Sequence, residues 1–188
     1  MKSLEPPDTL RLRAAQAWLE LGNYVEADAG LDGITASLRA HPDVLKVRWE
    51  VYAAAKKWEA ALDIAAALVR LAPEQALGWV HRSYAPHELK RTAEARDNLL
   101  AVVEKFPEDA AIGCNLARYE CQLGRLEQAR RWLQKSFEIG DPRKLKLMAL
   151  DGSRRLSHSG SKSGSPTSRK IAVARLQRGV GHRQTKQL

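Results

Sequence analysis

Gly22-Asn23-Tyr24-Val25-Glu26-Ala27, Lys56-Lys57-Trp58-Glu59-Ala60-Ala61, Lys90-Arg91-Thr92-Ala93-Glu94-Ala95 and Gly124-Arg125-Leu126-Glu127-Gln128-Ala129 share one pattern, repeated at a constant step of 34 residues. Each stretch is a polar turn that opens an apolar helical run and ends on an alanine: Ala27, Ala61, Ala95 and Ala129. Further columns keep the same phase. Four residues on stand Leu31, Ala65, Leu99 and Leu133; three residues before the alanines stand Tyr24, Trp58, Thr92 and Leu126. Pro73 and Pro107 also fall one step apart, with Asp141-Pro142 next in line. An Ala-rich chain can produce one such column by chance but not several in register, so the chain is read as a repeat protein.

Within each unit, apolar residues recur three and four apart, as in Leu62, Ala65, Ala66 and Val69, which gives each helix one buried stripe. The small residue in the alanine column lets the two helices of a unit approach closely. Proline stops the second helix because it lacks the N–H and restrains the residue before it. The spacing predicts helices over 8–21, 24–40, 43–55, 58–71, 75–89, 92–105, 109–122, 126–139 and 142–150. One unit cannot bury its own apolar face, so neighbours must stack and the last helix must close the open end.

This pattern resembles the tetratricopeptide repeat over about residues 8–142. Leu21-Gly22 and Leu123-Gly124 supply the Leu-Gly that this family places before the turn, whereas Ala55-Lys56 and Leu89-Lys90 stand there in the middle units. The resemblance implies an all-α, right-handed α-α superhelix of four helix pairs with a C-terminal capping helix, the whole spanning 8–150. It also implies a concave inner surface lined by the first helix of each pair. By helical phase the residues there are Arg13, Gln16 and Glu20; Lys46, Glu50 and Ala53; His81, Tyr84 and His87; and Asn115, Arg118 and Gln122. Such a mixed row of donors, acceptors and one aromatic suits a peptide or helix of another protein. One subset of the family clamps C-terminal carboxylates with Lys and Asn from successive first helices. Here Glu50 follows Lys46 by one turn and would repel that ligand, so binding of chaperone tails is not expected.

No feature argues for chemistry. Cys114 and Cys121 sit seven apart on one helix, about 10 Å along its axis, which is beyond disulfide reach. His81 and His87 do not share a helix face, and no paired short Cys/His spacing offers a metal site. Phosphate loops and hydrolase signatures are absent from the sequence, so no catalytic residue, metal or cofactor is assigned. The five tryptophans, Trp18, Trp49, Trp58, Trp79 and Trp132, are expected in the core. Pro86 falls inside a first helix, where it costs a backbone hydrogen bond, so that helix is expected to bend or its unit to be the least stable.

Charge divides the chain. Of 31 basic and 22 acidic residues, 9 basic and 1 acidic lie after Leu150, which leaves the repeats near neutral and the segment 151–188 at +8. That segment, rich in serine and glycine and without aromatics, cannot offset its ordering entropy by burial and is expected to be a disordered basic tail. It is read as a linker, as out-of-frame coding, or as an attachment to nucleic acid through counterion release. The alternative function that follows is a nucleic-acid-associated scaffold. No apolar run is long enough to span a membrane and the start lacks a signal sequence, so a cytoplasmic location is expected.

Overall fold

The computed structural model describes residues 3–141 and Arg143, in which eight α-helices form four antiparallel pairs. They are α1 (Asp8–Glu20), α2 (Tyr24–Asp32), α3 (Pro42–Ala54), α4 (Trp58–Leu71), α5 (Ala76–Glu88), α6 (Thr92–Leu100), α7 (Ala110–Gln122) and α8 (Leu126–Ile139). Each helix packs on the next in the chain, and first helices also meet first helices, α1 on α3 and α5 on α7. These residues make one compact unit that ends at Gly140. The expected capping helix at 142–150, the boundary at 151 and the basic tail lie outside the described residues.

The alanine column sits where two helices cross. Ala27, Ala61 and Ala95 have no exposed surface and Ala129 keeps 2%. Around them the core runs continuously in three clusters. The first joins Leu12, Ala15, Leu31, Ile34, Val44 and Val47; the second Trp49, Ala53, Ala65 and Ala85; the third Leu99, Ile112, Leu116 and Tyr119.

Turns inside the pairs repeat as faithfully as the core. Gly22, Lys56, Lys90 and Gly124, one period apart, all adopt positive φ, at 80°, 57°, 68° and 78°. Each turn closes with the same two hydrogen bonds. In the first, the Gly22 N–H donates to the Leu19 carbonyl and the Asn23 N–H to the Trp18 carbonyl; in the third, Lys90 donates to His87 and Arg91 to Pro86. This is the Schellman ending, which satisfies the last carbonyls of the first helix and reverses the chain. Helix starts use side chains where the sequence provides them. Asn23 accepts from the Glu26 N–H at 3.2 Å, and Asp109 from the Ala111 N–H at 2.9 Å.

Three expectations need correction. The helix expected over 24–40 ends at Asp32, because the chain leaves it at Gly33 and the Thr35 N–H is taken by the Asp8 carboxylate at 3.0 Å. Those Thr35 hydrogen bonds, with Arg11 beside them, also hold the Asp8 carboxyl below its usual range. Beyond Thr35 a 3-10 turn, Ala36–Leu38, plugs Ile34 and Leu38 into the first cluster. The helix expected over 92–105 likewise ends at Leu100, where Val102 turns inward at φ −125° before a second 3-10 turn, Val103–Lys105. Trp18 is 42% exposed rather than in the core. Pro86 is buried inside α5, which continues through it to Glu88. It stands in the last turn, so the bond lost is the one to the Arg82 carbonyl, and its own carbonyl still closes the turn.

Candidate functional site

A row of aromatic and imidazole rings joins α3, α4, α5 and α7. Trp49 on α3 stacks flat on His81 on α5, with centroids 3.6 Å apart and planes 8° from parallel. Tyr84, one turn further along α5, meets Trp49 edge-on at 6.1 Å and Trp58 at 5.9 Å. His87 continues the row, 6.1 Å from Tyr84 and 4.7 Å from Tyr119 on α7. The Arg118 guanidinium lies 5.8 Å over the Tyr84 ring, within cation–π range. Beneath the rings the Ser83 hydroxyl donates to the Val80 carbonyl at 2.8 Å, which leaves its oxygen to accept from the Tyr119 hydroxyl at 3.0 Å.

Burial decides the charge state of this row. His81 is pushed down to about 3 by desolvation and the nearby Lys46 ammonium. His87 is pushed down to about 4 by desolvation, then by Arg118 and Lys90. Both rings are therefore neutral near pH 7, and the His87 Nδ1 stands 3.3 Å from the Thr92 hydroxyl. Nε2 of His81 and Nε1 of Trp49 are buried without a hydrogen-bond partner among the described residues. Tyr119 loses acidity through burial, and burial raises the thiols of Cys114 and Cys121. Among the described residues no group of three His, Cys, Asp or Glu could hold a metal ion.

The residues expected on the inner face are placed at different depths. Arg13, Gln16 and Glu20 on α1, Glu50 on α3 and Gln122 on α7 are exposed; Lys46, Tyr84 and Arg118 are half-buried. His81, His87 and Asn115 are buried, at 8%, 3% and 5% exposure, and support the surface from beneath. Asn115 donates to the Ala111 carbonyl of its own helix at 2.9 Å, and Lys46 reaches Asp43 at 3.1 Å. The structure brings His81, Tyr84, His87 and Arg118 together. It does not bring Arg13, Gln16 and Glu20 to that cluster. Trp49, Trp58, Ser83 and Tyr119 were not read as part of the site. Their spacing carries no common register: Trp49 and His81 lie 32 residues apart and Ser83 and Tyr119 36, on either side of one period.

No model of a known protein family matches the chain, and no curated protein does. Solved structures do. A MamA 41-end structure from Desulfovibrio magneticus RS-1 aligns at TM-score 0.62 and 18% identity, over 70% of this chain and 75% of that one. A MamA RS-1 ArsTM double mutant aligns at 0.61 and 18%, over 72% and 76%, and a MamA MSR-1 structure at 0.57 and 19%, over 70% and 76%. At such identity the likeness is one of fold. The described residues, a solenoid of paired helices, share the fold of these structures.

Proposed function

We propose that this solenoid is a non-enzymatic interaction module that holds a peptide or helical segment of another protein along its inner face. The observation that carries the reading is the layered row on α3, α5 and α7. Buried rings, with Lys46, Tyr84 and Arg118 half-buried and Glu50 and Gln122 exposed on the same helices, leave a surface of mixed charge around one half-buried tyrosine. A rigid aromatic floor lowers the entropy lost when a ligand is ordered against it, and the polar rim sets its orientation. Burial also keeps His81 and His87 from acting as acid or base near neutral pH, which favours binding over chemistry.

Panning a peptide display library on the full chain tests this. Wild type should enrich related sequences, and a variant with Lys46, Glu50, Arg118 and Gln122 all changed to alanine should lose them while keeping its helical circular dichroism. Equal enrichment by both proteins would refute the inner face as the binding surface.

A further inference from the structure

Helix α1 is apolar on two opposite sides. One side buries Leu12, Ala15 and part of Leu19 against α2 and α3. At about 100° per residue, Leu10, Ala14, Ala17, Trp18 and Leu21 fall together on the other side. That stripe is open: Leu10 is 59% exposed, Trp18 42% and Leu21 76%. Leu21 still has helical backbone angles, so it belongs to the same face. None of the described residues covers the stripe.

Its spacing indicates what does. Leu10 and Leu21 stand equally far from the midpoint between Ala15 and Gln16, and so do Ala14 and Ala17. We propose that α1 pairs with α1 of a second copy of this chain, antiparallel about a two-fold axis at that midpoint. Leu10 of one copy then meets Leu21 of the other, and Ala14 meets Ala17. Small residues at the centre let the axes approach, and leucines close both ends.

Charge agrees with this register. An antiparallel two-fold sets each flank of the helix beside the same flank of its mate. Arg13 and Glu20 share one flank, two turns apart, so each Arg13 lies against Glu20 of the other copy, twice by symmetry. A parallel pair would instead set Arg13 of one copy beside Arg11 of the other. Helices this short bury well under the ~1,600 Å² of a standard interface. The expected dissociation constant is therefore weak, on the order of tens of micromolar.

Sedimentation equilibrium of the full chain, from roughly 1 to 500 μM, tests the pairing. Wild type should show a monomer–dimer equilibrium. Arg13→Glu should weaken it at least about tenfold, and Arg13→Glu with Glu20→Arg should restore it. Ala14→Glu and Ala17→Arg should each be monomeric alone and dimerise when mixed, because the Ala14 site faces the Ala17 site across the axis. All four positions lie opposite the core or on its rim, so unchanged thermal midpoints separate lost pairing from lost folding. A wild type that stays monomeric at 500 μM, or a dimer indifferent to these substitutions, would overturn the proposal. The variant with four inner-face alanines should dimerise normally, so failure of the groove reading and failure of this one are told apart.

Discussion

Glycine at the two turns that lack it should stabilise the solenoid. Lys56 and Lys90 hold φ at 57° and 68°, where Gly22 and Gly124 hold 80° and 78° in the equivalent turns. A side chain in this left-handed region costs about 1–2 kcal/mol. Glycine removes that cost but gives back about 0.4–1 kcal/mol through the freedom it adds to the unfolded chain. The net gain is about 0.5–1 kcal/mol at each site. The two turns lie in different units, so the effects should add to about 1–2 kcal/mol, or a rise of roughly 3–6 °C in Tm for a domain of this size. Thermal unfolding followed at 222 nm reads this directly. The reverse substitutions, Gly22→Ala and Gly124→Ala, should lower Tm through backbone strain alone, because a Cβ at either position meets nothing within 4 Å. If Lys56→Gly/Lys90→Gly leaves Tm unmoved or lowers it while the alanine variants behave like wild type, the turns are not held in the left-handed region.

Other consequences follow from packing and titration. Gly113→Ala would drive a Cβ into the Ser136 hydroxyl between α7 and α8 and should cost about 1–3 kcal/mol in urea denaturation. Most of that should return in Gly113→Ala/Ser136→Ala, and equal midpoints for single and double variants would argue against this contact. Ala61→Leu should be worse than the same change at exposed Ala54 by about 1–3 kcal/mol, since Ala61 has no free surface. Stability should fall as pH drops from about 6.5 toward 4. In that window the unfolded chain protonates His81 and His87 while their folded pKa values, about 3 and about 4, keep the buried rings neutral. The limiting slope is about 1.4 kcal/mol per pH unit for each histidine. His81→Gln should flatten it by half, and an unchanged slope would place the titration elsewhere. If the basic segment 151–188 confers nucleic-acid affinity, binding to a random RNA should fall steeply between 50 and 200 mM salt. Retention by a chain with its basic residues there neutralised would exclude that alternative.

The helix pairs, their order and the alanine column were legible because each depends on a residue that geometry forces to be small, or on a turn that recurs in every unit. Where α2 and α6 stop was not. The end of α2 is set by Asp8, which reaches Thr35 from 27 residues away, and no local propensity encodes such a link. Among the residues expected on the inner face, sequence phase did not give depth. Phase alone puts His81, Tyr84 and His87 in one row, whereas the two histidines sink beneath Trp49 and Tyr119 contributed by neighbouring helices.

Trp18 shows a different kind of failure. Repeat logic treats every unit as the average unit, so a tryptophan on a first helix is assigned to the core as Trp49 is. That assumption is translational symmetry, and α1, with a first-helix neighbour on one side only among the described residues, departs from it. Trp49, on α3, has first helices on both sides and is 6% exposed; α1 has α3 on one side only, and Trp18 keeps 42% of its surface. The outward stripe of α1 is thus what an interior helix would bury against a preceding unit. Leu10, Ala14, Ala17, Trp18 and Leu21 form a stripe whose Leu and Ala positions read the same from either end, and a second copy, as proposed, presents a surface that matches it in both directions.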